Sequence, residues 1–161
     1  MKKRKNTMSK FEAAILAVLG LLLGTVFTFG MRYWQSPVMK TEAIYDEAVF
    51  TSYKETVSHH GSLKEILLRF DDREQVSVDS ACLNDEVIAQ IEAITPGSTV
   101  TLYIHPNSNT VLELICHGEV ILPFDETVKK VAAEANAFAV LGVFMYLCAA
   151  AGILRLLKKQ R

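Results

Sequence analysis

The side chains from which a catalytic or metal site is ordinarily built are few: His59, His60, His105 and His117, with Cys82, Cys116 and Cys148. Cys148 falls inside a long apolar run and is set aside. A zinc site needs about four convergent nitrogen or sulfur ligands, commonly supplied as close sequence pairs. His59-His60 and Cys116-His117 are such pairs, but adjacent residues of a strand point to opposite faces. One member of each pair, with Cys82 and His105, can converge; nothing in the spacing requires it. All six also stand where strands end and turns begin. The expectation is therefore no metal ligand set and no cofactor.

An oxidising compartment permits Cys82 and Cys116 to form a disulfide. Closing that loop of about 35 residues stabilises by about 3–4 kcal/mol on chain-entropy grounds, strain aside. The alternative is that Cys116, at the end of an apolar strand, packs as a small free hydrophobe. Covalent catalysis has little to work with. Ser62, Ser80 and Ser98 lack a G-x-S-x-G context, and no glycine-rich phosphate loop follows a strand. The acid pairs Asp46-Glu47 and Asp71-Asp72 suit a solvated strand face and a turn. The chain is not expected to be an enzyme.

The elements that must position these residues are announced by charge and hydropathy. The formal net charge is −1, which conceals a strong segregation. Residues 1–10 carry Lys2, Lys3, Arg4, Lys5 and Lys10, and the last seven carry Arg155, Lys158, Lys159 and Arg161. The stretch between Arg32 and Glu134 holds eight bases and seventeen acids. Between the basic tails and that acidic middle lie two apolar runs, Ala13–Met31 and Ala135–Leu154. The first is free of charge and, at about 1.5 Å per residue, spans about 28 Å, close to the hydrocarbon thickness of a bilayer. Arg32, Tyr33 and Trp34 follow it as headgroup-level residues. Its apolar stretch exceeds that of a cleaved signal peptide and no Ala-x-Ala site follows, so it reads as an anchor. Basic flanks on the outer side of both runs orient both termini to the cytoplasm.

The expected organisation is a basic cytoplasmic tail (1–10), a first transmembrane helix (11–34), an extracytoplasmic β-rich domain (35–124), a helix continuing into the second span (125–157) and a second basic tail (158–161). The expected location is the plasma membrane of a bacterial cell, crossed twice. Within the middle, Ala43–Ser58, Glu65–Phe70 and Gln75–Asp79 alternate as strands. Asn84 is placed to cap a helix carrying Val87, Ile88, Ile91 and Ile94 on one face, ended by Thr95-Pro96-Gly97-Ser98. Thr99–His105 and Thr110–Cys116 form a hairpin through Pro106-Asn107-Ser108-Asn109. Glu119–Leu122 is a last strand, Pro123 stops it, and Asp125 is expected to cap the exit helix. Three strands, a helix, then further strands is the connectivity of an OB-type barrel; an SH3-like barrel or a curled α+β meander fits nearly as well. The fold class is thus two transmembrane α-helices bracketing a small barrel-like α+β domain. OB-type barrels often hold nucleic acid in a basic groove, which this acidic domain excludes.

The segment PGSTVTLYIHPNSNTVLEL, with Gly97, Val100, Tyr103, Pro106 and Asn107, resembles the hairpin of small bacterial two-helix membrane proteins with an extracytoplasmic β domain of unknown function. The match covers about twenty residues and the helix–domain–helix layout. Leu102 and His105 depart from that hairpin pattern. The resemblance implies the layout and carries no catalytic residue with it.

Small residues recur on one face of each span: Ala13, Ala17, Gly20, Gly24 and Thr28 in the first, Ala135, Ala139, Gly142 and Ala149 in the second. Such faces let helix backbones approach closely in lipid. Gly20, Gly24 and Gly142 are therefore the expected packing positions, either within one chain or toward a membrane-protein partner or a second copy. No ionisable residue lies inside either span, which argues against an ion path. The function expected is a non-enzymatic binding module or an accessory subunit of a membrane complex. The alternative is a metal-binding sensor or enzyme using the outer His and Cys positions.

Overall fold

The structure is a computed structural model and describes residues 10–57, 61, 63–71 and 73–158. His59 and His60, Asp72, and most of both basic tails lie outside the described residues. The chain divides into two compact units, Met1–Tyr33 with Asn136–Arg161, and Trp34–Ala135.

In the first unit, α1 (Lys10–Thr25) passes through a single π turn (Val26–Gly30) into the short α2 (Met31–Trp34). The sequence suggests one regular helix here. The departure begins where the Thr25 hydroxyl donates to the Leu21 carbonyl, 2.8 Å away, and threonine back-bonding of this kind loosens the helical ladder. Phe11–Gly30 and Phe124–Arg155 are each long and apolar enough to cross a membrane. Their outward faces are apolar: Val18, Leu22, Val140 and Leu147 are all more than half exposed.

The second unit is built on one antiparallel sheet. Its strands are β1 (Ile44–Val57), β2 (Leu63–Phe70), β3 (Val76–Asp79), β4 (Thr99–Ile104), β5 (Val111–Cys116) and β6 (Glu119–Leu122). Their spatial order is β3-β2-β1-β4-β5-β6. The long β1 serves two partners. Ile44–Val49 pairs with β4, and Phe50–Val57 pairs with β2, with an irregularity between Phe50 and Ser52. Alternation aims Ala48, Phe50, Ile66, Leu68, Val76, Val78, Leu102 and Ile104 into one core. A 3-10 turn (Ser80–Cys82) leads to α3 (Asp85–Glu92), whose Asn84 side chain accepts from Val87 N–H at 2.8 Å. That cap fixes the register that buries Val87 and Ile91, and full burial of a side chain like Ile91 contributes about 1.5–3 kcal/mol.

The sheet is open. β3 approaches β5 only through an isolated parallel bridge, Ser77 to Thr110, with Ser77 N–H donating to Asn109 C=O at 2.8 Å. β3 is only four residues long before the chain turns into the 3-10 segment, so the bridge does not extend into a ladder. One boundary also differs from expectation. Helix α4 (Phe124–Lys158) starts ahead of Asp125. The Pro123 carbonyl accepts from both Thr127 N–H (3.1 Å) and the Thr127 hydroxyl (2.9 Å). Asp125 is therefore a first-turn acid rather than the cap.

Candidate functional site

His105 is buried, at 2 % exposure, and both ring nitrogens are engaged. Asn107 N–H donates to Nδ1 at 3.1 Å, and Nε2 lies 3.0 Å from the Ser36 carbonyl. A backbone N–H can donate only to an unprotonated nitrogen, so Nδ1 is the acceptor and Nε2 is the nitrogen that donates to the Ser36 carbonyl. His105 thereby stitches the connector at Ser36 to the turn between β4 and β5. Its place before Pro106-Asn107 is the signal of that turn role.

Cys82 and Cys116 are free thiols, and both are buried. Burial and then the charge of Asp79 push the Cys82 thiol up to about 11. Burial and then Glu119 also raise the Cys116 thiol. A thiol raised in this way is a poor nucleophile at neutral pH. His117 sits exposed at the tip between β5 and β6, with φ 51°. Among the described residues no group of three or more His, Cys, Asp or Glu is arranged to hold a metal ion.

Sequence reasoning missed the charged group that β5 buries. Tyr45, Tyr103 and Glu113 lie in register across β1, β4 and β5, and Glu113 is 7 % exposed. Lys40, from the connector, forms an ion pair with Glu113 and lies 4.3 Å from the centre of the Tyr103 ring. Tyr103 in turn stands edge-on to Tyr45 and to Phe124, with ring centres 5.3 and 6.2 Å apart. Glu113 is the main reason that the Lys40 ammonium is held above its ordinary value. The alternation of Leu112, Glu113 and Leu114 marks Glu113 as turned away from the apolar core, but nothing local names its partner 73 residues upstream.

Three concave surfaces stand out among the described residues, one of them a hollow of about 650 Å³ lined by Pro96, Gly97, Ser98, Thr99, Thr101 and His117 among others, without a carboxylate or an ammonium. A groove of about 590 Å³ lies over β2 and β3 and is lined by Glu65, Arg69, Arg73, Glu74, Gln75, Ser77 and Asn109 among others. Its charges are mixed, and Arg73 is committed to Asp46. A second trough runs between α3, β6 and the start of α4. Its two parts, about 230 and 180 Å³, share Gln90 and Ile121. Glu86, Glu119 and Glu126 line it against the single cation Lys130, and the exposed Val120 lies on its floor.

In the first unit the two apolar helices meet through their small residues. A Cβ placed on Gly20 would lie 2.8 Å from the Met145 carbonyl oxygen, and one on Gly24 2.9 Å from the Tyr146 ring. At Gly142 it would collide with the Thr28 hydroxyl and stand 3.0 Å from the Gly24 carbonyl. Thr25 and Tyr146 share a hydrogen bond of 3.0 Å between their hydroxyls. The face that the sequence offers either to its own chain or to a partner is occupied here by its own chain.

No family model, no curated protein and no solved structure matches this chain.

Proposed function

We propose that this chain is a twice-spanning plasma-membrane protein with both termini in the cytoplasm. It displays an OB-like domain outside and works as a binding module or accessory subunit. The OB reading rests on the shared β1, the helix between β3 and β4, and the parallel approach of β3 to β5. It is a likeness of architecture and carries no activity with it. The topology rests on the basic flanks of two apolar helices.

One observation carries the binding reading: the trough between α3, β6 and α4 is acidic and has an apolar floor. Asp85, Asp125, Glu86, Glu119 and Glu126 stand exposed on the elements that form it. Such a surface attracts a basic segment of a partner protein, screened over about 8 Å at physiological salt. The competing reading is a metal-dependent sensor using the outer His and Cys positions; of these, His105 is already hydrogen-bonded through both ring nitrogens. Photo-crosslinkers at Val120 and, as a control, at Tyr45 test the proposal in intact cells. A discrete adduct at Val120 alone is expected, and it should disappear in a Glu86→Lys/Glu126→Lys variant and at high salt. Equal adducts at both positions, or adducts indifferent to charge reversal, would overturn it. Protease added outside intact cells should cut within 35–124 and spare both tails; a tail cut from outside would overturn the topology.

A further inference from the structure

The last ionisable residue before the charge-free run Ala135–Leu154 is Glu134, on the polar opening turns of α4. Its Oε2 is buried and accepts no hydrogen bond, and the same holds for Oε1 of Gln35, in the connector. Both residues border Asp79, at the end of β3. Gln35 Nε2 lies 3.5 Å from Asp79 Oδ2, Ala81 N–H donates to Asp79 Oδ1 at 2.9 Å, and the Glu134 carboxyl meets that of Asp79. The inventory is unbalanced. Asp79 has two donors, whereas Glu134 has another acceptor facing it. Two ionised carboxylates have no hydrogen to offer one another, and a proton between them supplies the missing donor.

The structure assigns a proton to this place: we propose that Asp79 and Glu134 share one proton, which latches the start of α4 to the end of β3. The other groups facing the pair are few. The 3-10 turn contributes Cys82, whose thiol stays protonated across the neutral range. Helix α4 contributes Lys130, one turn before Glu134, and the connector contributes only the uncharged Gln35. None of these donates to Glu134 Oε2. Burial first, and the contact with Asp79 second, push the Glu134 carboxyl up to about 7. The sign follows. A carboxyl raised on folding favours the native state fully below the ordinary value of 4.5, and this advantage is lost as pH rises through about 7. Above that pH Glu134 has given up the proton that bridged the pair, and the latch opens.

The chain contains one tryptophan, Trp34, next to Gln35 in sequence. Its emission, recorded from pH 5 to 9 on the full chain in lipid nanodiscs, reports the connector that Asp79 holds. The expected result is a single transition centred near pH 7 in the wild type. It should be absent in Glu134→Gln, which carries its own donor, and in Asp79→Asn, which keeps the Oδ1 acceptor for Ala81. Infrared difference spectra should show a protonated carboxyl band lost with the same midpoint, and missing in Glu134→Gln. A Cys82→Ala variant should leave the midpoint in place. A wild type that is flat over this range, or a transition and band that persist in Glu134→Gln, would overturn the proposal. If either variant is poorly folded, the wild-type infrared titration alone decides.

Discussion

Glu113 and Glu134 are the same residue type, both carry a buried carboxyl oxygen, and both stand where a segment leaving the sheet is fastened to it. Their surroundings differ in one respect. Glu113 meets the Lys40 ammonium, whereas Glu134 meets the Asp79 carboxyl. The first arrangement stabilises a carboxylate by opposite charge; the second stabilises a carboxylic acid by denying it a cation. Burial alone therefore decides neither charge state. The connector between Trp34 and β1 is fastened three times: to Asp79 at Gln35, to His105 at Ser36, and to Glu113 at Lys40. The first of these is the one proposed to respond to pH near neutrality.

The sharpest way to break the contrast is to remove the cation. Lys40→Met leaves Glu113 buried with no positive partner, and breaking a fully buried pair in this way costs about 3–5 kcal/mol. Lys40 is nearly half exposed (46 %), so about 2–3 kcal/mol is expected at pH 7 by denaturant unfolding. Lys40→Met combined with Glu113→Leu should recover most of the loss. A single variant as stable as wild type would mean that Glu113 is not isolated from water.

The histidine fastening comes next. His105→Phe keeps the bulk of a fully packed ring but removes its hydrogen bonds to the Ser36 carbonyl and from Asn107 N–H. Losing both bonds at a buried site is expected to cost about 1–2 kcal/mol. Denaturant unfolding checks it, and a variant as stable as the wild type would mean that the two bonds add nothing to the fold.

These contacts mark the limit of what the sequence makes legible. Local rules find the elements well. The strand over Glu119–Leu122 and the Asn84 cap are where alternation and capping chemistry place them, because both signals are contained within a few residues. Where the decisive partner is far along the chain, the pattern is silent. Glu113 reads as an ordinary outward strand residue until Lys40 is brought over Tyr103. Glu134 reads as a solvated helix residue until Asp79 arrives beneath it. His105 reads as a ligand candidate until Ser36 takes Nε2. The open sheet and the π turn after Thr25 escape for a similar reason: each depends on a tertiary approach or a side-chain bond that hydrophobic period does not encode.

A smaller effect sharpens the comparison from the other side. In the wild type, stability should fall as pH rises from about 5 toward 8, since the raised Glu134 carboxyl releases its proton in the folded state only near 7. The slope should stay below the roughly 1.4 kcal/mol per pH unit of one fully differential proton, because the pair is partly wet. Glu134→Gln should flatten that segment of the curve while leaving the Lys40–Glu113 contribution in place. Denaturant titrations at intervals of one pH unit decide it. An unchanged slope would show that the pH dependence originates elsewhere.

The smallest expected effect belongs to His117, and it separates a turn residue from a ligand. Its backbone sits at φ 51°, where a side chain costs about 1 kcal/mol and glycine costs nothing. Gly118 follows it at φ 82°, so the tip between β5 and β6 is a tight connection made of two left-handed residues. His117→Gly relieves the strain at one of them but adds freedom to the unfolded chain, worth about 0.4–1 kcal/mol in the opposite direction. The two terms nearly cancel, and a net change within about 0.5 kcal/mol is expected by thermal or denaturant unfolding. His117 lines part of the trough between α3, β6 and α4, but crosslinking at Val120 should also be unchanged, since the Glu86, Glu119 and Glu126 carboxylates proposed to attract a basic segment stay in place. His105→Phe should be measurably worse on the first readout under the same conditions. A folded His117→Gly protein that lost the Val120 adduct would instead give this histidine a chemical role, and the turn reading of the outer histidines would fall with it.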